Sequence, residues 1–275
     1  MEKKKILFIS QEMLPFVPED KVMEQSLMSK VSRELPQGIQ ELGGEIRTFM
    51  PRYACINERR HQLHEVIRLS GMNIIIDDTD HPLIIKVASI QAARMQVYFI
   101  DNEDFFNKKV TVKDLDGTEL EDNDIKSVFF ARGVLETVKK LRWTPDIIHC
   151  HGWMTSSVPL LIKKIYSQDV FFENSKIVYT LYNDAFKTPF RSGLGRKIMM
   201  DGIAPEDVAL VEEANYANVS KLGIDSSDAV VCGDAEVNQE ALDYAKSKGL
   251  PILEFPGEED YVSKYDEFYN QLLAE

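Results

Sequence analysis

The chain has 275 residues, and 44% of them are hydrophobic, which is enough for a sizeable core in one large domain or two small ones. With 45 acidic and 32 basic residues its formal charge is -13, so nucleic acid and anionic membrane surfaces are unfavourable partners. Three cysteines are too few for a secreted disulfide scaffold, and no apolar run reaches the ~18 residues of a membrane span, so we expect a cytoplasmic protein.

The N-terminal part of the chain predicts a strand, a helix and a second strand. The apolar run Ile6–Ile9 follows three lysines and indicates a buried strand, since it is too short for the core of a signal peptide. Apolar residues then recur at helical spacing over residues 27–42, and Pro36 inside this pattern predicts a kink or a break. Two glycines end the helix, and a second strand is predicted over Glu45–Met50.

Residues 63–101 have a different pattern. Four short runs rich in β-branched and aromatic residues are separated by turn residues. We interpret this segment as a β-meander inserted after the second strand. The four runs are Val66–Leu69, Asn73–Ile76, Leu83–Ile90 and Gln96–Ile100.

The rest of the chain alternates between helical patterns and short apolar strands. The predicted elements, in order, are a helix over Ile125–Leu141, a strand over Asp146–Cys150, a helix over Thr155–Tyr166, a strand over Lys176–Leu181, a loop over 185–204, a helix over Pro205–Leu222, a strand over Ala229–Cys232, a helix over Val237–Lys248, a strand over Pro251–Phe255 and a helix over Glu258–Leu273. Such alternation builds a parallel sheet with helices on both faces. We therefore predict an α/β fold in which residues 1–275 form a single Rossmann-like, doubly wound parallel sheet, with 63–101 as a β-rich insert and the helices of 236–275 closing the domain.

Polar and aromatic residues follow the carboxyl ends of the predicted strands. Ligands of open parallel sheets bind outside these ends, so the side chains there are candidates for a site. For each of them taken singly, a solvated loop is an equally good explanation. The candidates are Ser10–Glu12, His149–Trp153, Tyr182–Asp184 and Gly233–Asp234.

His151 and Trp153 favour a hydroxyl-rich ligand, since an indole stacks on the apolar face of a sugar and an imidazole exchanges hydrogen bonds with hydroxyl groups. The alternative is that Trp153 packs under the following helix as part of the core. His149 and His151 have the alternation of a metal-binding pair, but no third ligand is evident nearby, so we expect one core and one surface histidine and no metal. Neither a G-x-G-x-x-G turn nor a Walker motif occurs, and no cofactor is predicted.

A series of motifs runs in order through about residues 3–235. The motifs are Lys5–Ile9 with Glu12 and Pro15–Phe16, Glu45–Arg47 with Met50–Tyr53, Val97–Asn102, Phe129–Arg132, Pro145–Trp153, Thr180–Asn183, and Gly223–Ile224 with Asp228–Val230. The run P-D-I-I-H-x-H-x-W at Pro145–Trp153 is fairly specific. In these motifs the chain resembles the N-terminal domain of bacterial glycogen synthases and plant starch synthases, which use ADP-glucose and have the two-domain GT-B architecture.

The resemblance implies ligands and site residues. The ligands are an α-glucan and ADP-glucose, and the N-terminal domain of the family carries much of the surface that binds the glucan acceptor. Glu12, Trp153, Tyr182 and Asn183 are the implied substrate-binding residues, and His151 is the implied catalytic residue.

The chain also departs from the family. The family's first loop is K-T-G-G or K-V-G-G, with its lysine and glycine amides against the phosphates of the nucleotide sugar, whereas this chain has Pro18–Lys21. Proline offers no N–H and two carboxylates repel a diphosphate, which leaves Lys21 as the candidate for phosphate binding. The family's H-D-W is His151–Trp153 without the acid, and its T-I-H-N has Tyr182 in place of the histidine.

Only 47 residues follow Asp228, whereas a second Rossmann-like domain would need ~200. We therefore expect a glycogen or starch synthase-like glucosyltransferase domain, related to α-1,4-glucan synthesis from ADP-glucose, that lacks activity unless a partner chain supplies the second domain. The alternative is a non-catalytic glucan-binding or regulatory module derived from such an enzyme, so whether the chain is an enzyme stays open. An unrelated small-molecule binder on a flavodoxin-like sheet is a third hypothesis, and the ordered motifs argue against it.

Overall fold

A mostly parallel sheet forms the centre of the protein. The structure is a computed structural model that describes residues 3–22, 26–191 and 193–274, and the candidate site residues all lie in these ranges. The strands are β1 (Lys5–Ser10), β2 (Glu45–Pro51), β3 (His64–Glu65), β4 (Met72–Ile76), β5 (Thr79–Ile90), β6 (Met95–Asp101), β7 (Ile147–His151), β8 (Lys176–Leu181), β9 (Ala229–Cys232) and β10 (Ile252–Leu253).

Helices cover both faces of this sheet. They are α1 (Met28–Glu41), α2 (Glu58–His61), α3 (Asn123–Leu141), α4 (Ser157–Lys164), α5 (Leu194–Ile198), α6 (Tyr216–Asp225), α7 (Gln239–Ser247) and α8 (Tyr261–Ala274). Asparagine side chains at the N-caps of α2, α6 and α7 accept a hydrogen bond from the backbone N–H three residues further on, which fixes where these helices begin. Within the described ranges, no helix combines the length and apolarity that crossing a bilayer requires.

The strand order places a crevice at the middle of the sheet. The order is β10-β9-β8-β7-β1-β2-β6-β5-β3, with β4 paired to β5 alone, and the strands from β10 to β6 are parallel. The chain order reverses between β1 and β7, whose last residues, Ser10 and His151, lie side by side. This is the topological switch point at which doubly wound sheets bind ligands. The predicted α/β fold with a doubly wound parallel sheet is confirmed.

The apolar strands form because both of their faces are covered. Ile6–Ile9 and Ile147–Ile148 are at most 1% exposed, as expected for central strands between two helical layers. Packing overrides local preference in α1, which continues through Pro36 as one helix with the proline buried against the core.

Two segments differ from the prediction. In the stretch 63–101, three of the four runs are strands, but residues 66–69 form a turn, and β6 joins the main sheet as a parallel partner of β2. The single helix predicted over Pro205–Leu222 is wrong, because a 3₁₀ segment ends at Val211 and the cap of Asn215 starts α6. The predicted loop over 185–204 contains the short helix α5.

Candidate functional site

Two buried histidines lie at the carboxyl end of β7. The rings of His149 and His151 are 4.0 Å apart between centroids, and neither residue is exposed. His149 hydrogen-bonds through Nδ1 to the Tyr269 hydroxyl at 2.6 Å and through Nε2 to the Thr180 hydroxyl at 2.5 Å. His151 Nδ1 lies 2.8 Å from the Tyr182 hydroxyl, and the two rings stack. Tyr182, which stands where the T-I-H-N motif has histidine, therefore holds the His151 ring in place.

Burial keeps both imidazoles neutral. It lowers the pKa of His151 to about 3 and the pKa of His149 well below its usual value, with the neighbouring His151 adding to the effect on His149. A neutral, hydrogen-bonded ring at this place can position neighbouring groups but carries no positive charge to stabilise a phosphate.

The pair makes the fold sensitive to acid. The unfolded chain takes up these protons below pH ~6.5 while the folded chain does not, so the stability that each histidine contributes falls as the pH drops from there towards 3. At pH 5 the loss from His151 is on the order of 2 kcal/mol. We expect His151→Gln to reduce the difference in the free energy of unfolding between pH 7 and pH 5 by about that amount, as measured by urea titration.

The exposed His64 offers the control for this experiment, since His64→Gln removes a histidine that lies outside the buried pair. Asp184 has the opposite effect on the pH dependence of stability. Burial raises its pKa to about 7, so the stability that its protonated form contributes is lost as the pH rises from the unfolded pKa of about 4 towards 7. Because both proteins contain Asp184, comparing the variant with the wild type at each pH cancels its contribution to the free energy of unfolding. An unchanged slope in His151→Gln would mean that the histidine is not held neutral.

Trp153 is a core residue in this arrangement. It is 1% exposed, and its indole packs edge-to-face on Phe186 and Phe190, each at 5.4 Å between ring centroids. The indole Nε1 has no hydrogen-bond partner among the described residues. This is the core packing that was the alternative to a sugar platform, and Tyr182, which is also 1% exposed, is equally covered.

Gly152 lies where the resemblance places an acid. Its φ of +77° is a conformation that favours glycine, and a Cβ built there would overlap Met28 Cε and lie 2.6 Å from Asp184 Oδ2. Met28, the first residue of α1, is completely buried. The space above the end of β7 is therefore filled by a methionine from one side and a carboxyl group from the other.

Two buried carboxyl groups hold the backbone amides of this edge. Asp234 accepts hydrogen bonds from the N–H of Leu27 at 3.1 Å and of Asn183 at 2.6 Å. Asp184 accepts from the N–H of Trp153 at 3.3 Å and from the Tyr216 hydroxyl at 2.5 Å. The N–H groups at the start of α1 and after β7 and β8, which could face an anionic ligand, are thus bound to carboxylates of the chain itself.

A cleft of about 520 Å³ opens beside these groups. It is lined by residues 183–185 and Lys187, by residues 20–22, and by residues 111–115 with Gly117. The Lys21 ammonium is 3.6 Å from the Asp20 carboxylate. Lysines and aspartates are balanced around the cleft, which suits a neutral polar ligand better than a dianion.

The predicted site residues separate into two groups. Asn183 and Lys21 line the cleft, whereas Glu12, His151, Trp153 and Tyr182 are buried behind it. Glu12 is 2% exposed and accepts a hydrogen bond from the Ser29 hydroxyl of α1 at 2.7 Å. Roles in sugar binding or catalysis for these residues stay predictions.

Sequence reasoning noted Asp184 and Asp234 at strand ends but gave them no role, and it missed Met28 and Tyr216. The signal for the aspartates was an acid directly after an apolar strand, which is common in loops and carries little information by itself. In the described residues no cluster of three or more His, Cys, Asp or Glu side chains is arranged to hold a metal ion.

Comparison with known proteins identifies the protein family to which this chain belongs. Residues 5–253 match the family model of the starch synthase catalytic domain. The chain is 35% identical over 227 residues to the glycogen synthase of Chlorobium luteolum, covering 82% of this chain and 44% of that protein. It is 34% identical over 241 residues to the glycogen synthase of Chlorobaculum tepidum, covering 87% and 47%.

The structure is similar to the catalytic domain of starch synthase IV from Arabidopsis thaliana bound to ADP and acarbose. The TM-score is 0.70 at 18% identity, covering 92% of this chain and 51% of that chain. The chain belongs to the starch synthase catalytic domain family, and its fold is that of the GT-B glycogen and starch synthases. It spans about half the length of the relatives it matches.

Proposed function

We propose that this glycogen or starch synthase-like domain binds an α-1,4-glucan in the cleft at the carboxyl edge of its sheet and does not by itself transfer glucose from ADP-glucose. The observation that carries the proposal is that the backbone N–H groups at this edge already donate hydrogen bonds to carboxyl groups of the chain. Asp234 and Asp184 already occupy the N–H groups of Leu27, Asn183 and Trp153.

A diphosphate needs amide or cationic donors that converge on it. Here the Met28 amide is bound to the Ser26 hydroxyl, and the Leu27 amide is bound to Asp234. The ammonium of Lys21 lies beside Asp20, so its charge is partly balanced. A phosphate at this edge would meet carboxylates where it needs donors, and this supports loss of donor binding.

A glucan has the opposite requirements. It is uncharged and presents hydroxyl groups that donate and accept, so a cleft with amide, carboxyl and ammonium side chains can satisfy it. The cleft volume of about 520 Å³ is within the range of ordinary ligand sites. Asn183 is half-buried on the wall of the cleft, and its side chain is at the position that the family motif assigns to sugar binding.

The test is a titration with maltoheptaose followed by NMR, with a parallel titration of ADP-glucose. We expect saturable binding of maltoheptaose and none of ADP-glucose up to about 10 mM. Asn183→Ala should weaken maltoheptaose binding about tenfold, since it removes a side chain from the wall but keeps the backbone N–H that Asp234 binds. Asn73→Ala, on an exposed strand position, is the matched control.

Two results would overturn the proposal. The first is the absence of saturable maltoheptaose binding, and the second is saturable binding of ADP-glucose. The alternative of a purely regulatory module predicts the same glucan binding, and it differs in requiring a protein partner whose activity changes when the chain is added.

A further inference from the structure

Asp184, which follows β8, places its carboxyl group next to Gly152, where the family motif has an acid. The resemblance places an acid at position 152, where this chain has glycine. Asp184 Oδ2 lies 2.6 Å from the point that a Cβ at position 152 would occupy. Glycine has no side chain and so leaves room for the Asp184 carboxyl group. The glycine after β7 and the aspartate after β8 therefore fit each other sterically.

We propose that Asp184 supplies, from β8, the carboxyl group that position 152 lacks on β7, and that this carboxyl group binds a hydroxyl group of the ligand in the cleft. The inference rests on the proposed function, because the ligand is the α-1,4-glucan named there. It adds a specific contact residue that the family motifs do not contain.

The surroundings of Asp184 hold it in a fixed orientation. The Tyr216 hydroxyl donates to Oδ1 at 2.5 Å, and the Trp153 N–H donates to Oδ2 at 3.3 Å. Tyr216 is itself buried at the start of α6. The backbone N–H of Asp184 itself donates a third hydrogen bond to the carboxyl group. Because the two carboxylate oxygens together can accept about four hydrogen bonds, one position is left for a ligand.

The side chain is also placed at the boundary of the cleft. Asp184 is 3% exposed yet lines the cleft next to Asn183, so a bound hydroxyl group would be shielded from water. Burial, with Asp234 nearby, raises the pKa of Asp184 to about 7. Near neutrality the group is therefore present both as an acceptor and as a protonated acid that can donate.

The competing explanation is that Asp184 only satisfies the Tyr216 hydroxyl and the Trp153 amide. Both explanations predict a loss of stability when Asp184 is replaced, so stability cannot separate them. Tyr216→Phe separates them, since it removes one structural hydrogen bond of Asp184 and leaves the carboxyl group in the cleft.

The experiment measures the Kd of maltoheptaose for wild type, Asp184→Asn, Asp184→Ala and Tyr216→Phe, with circular dichroism to check folding. We expect Asp184→Ala to raise Kd about 10- to 100-fold, Asp184→Asn to raise it less, and Tyr216→Phe to leave it within about twofold. If the wild type binds and Asp184→Ala binds equally well, this inference fails while the proposed function stands. If the wild type does not bind, both fail.

A second measurement needs no folded variant of Asp184. With ¹³C-labelled aspartate in the wild-type protein, the Asp184 carboxyl signal should shift on saturation with maltoheptaose, because a hydroxyl group donates to it. A carboxyl signal that stays in place while the ligand saturates would overturn the inference.

Discussion

The purified chain is expected to elongate glycogen from ADP-glucose at least about 100-fold more slowly than a complete glycogen synthase, because loss of even one charge-stabilising group costs about 10²–10³ in rate. Here the first loop offers Pro18, Glu19 and Asp20 in place of a lysine and glycines. The amides of Leu27 and Asn183, which could have replaced them, are bound to Asp234.

The measurement is incorporation of labelled glucose into glycogen, with a complete synthase assayed beside the chain. Asp234→Asn provides an informative companion, since it removes a negative charge from the edge while keeping an oxygen that can accept from one of the two amides. Turnover of the wild type within about 100-fold of the complete synthase would show that Lys21 or another cation has taken over phosphate binding.

Replacing Gly152 by alanine should destabilise the fold by about 4 kcal/mol, from ~1–3 kcal/mol of backbone strain at positive φ and ~1–3 kcal/mol of overpacking. The added Cβ would collide with Met28 Cε and Asp184 Oδ2, both of which are held in the core. Such a loss is a large part of the 5–15 kcal/mol that is typical of a domain. Chemical denaturation followed by fluorescence of Trp143 and Trp153 gives the value.

Gly43→Ala is the matched control for this prediction. Gly43 also has a positive φ, +95°, but nothing lies within 4 Å of the point where its Cβ would be. Its replacement should therefore cost only the backbone term, and the difference between the two variants measures the collision. Met28→Ala should cost less in the Gly152→Ala background than in the wild type, because it also removes the collision. Equal losses for Gly43→Ala and Gly152→Ala would contradict the account.

The sheet could be predicted from sequence because its strands are short apolar runs with polar residues at both ends. Lys176–Leu181 and Ala229–Cys232 were predicted with the bounds that the structure has. The helix predicted from Pro205 failed because an apolar pattern does not show that Asn215 caps a new helix. Pro36 predicted a kink or break that does not divide the helix, since packing on the sheet keeps α1 continuous.

The candidate site was only partly predictable. The position of a side chain in the sheet follows from the local sequence, whereas its exposure depends on residues that are distant in sequence. Strand ends place Trp153 and Tyr182 at the right edge of the sheet. Their burial depends on Phe186 and Phe190 above Trp153, and on the carboxyl and hydroxyl groups brought in from other loops and from α6. Such contacts join residues that are distant in sequence, and no local pattern indicates them.

The ion pair between Lys4 and Asp266 has a consequence for how the chain folds in a cell. Lys4 Nζ lies 2.6 Å from Asp266 Oδ1, and the two residues are 262 positions apart in the sequence. At ribosomal speeds of ~5–20 residues per second, the strand that follows Lys4 waits on the order of tens of seconds for α8 to be synthesised. During that time Tyr269 is not yet available to His149. The central strand of the sheet is thus made long before the helix that packs beside it, and a nascent chain of this protein should depend on chaperones that bind exposed apolar segments until α8 has docked.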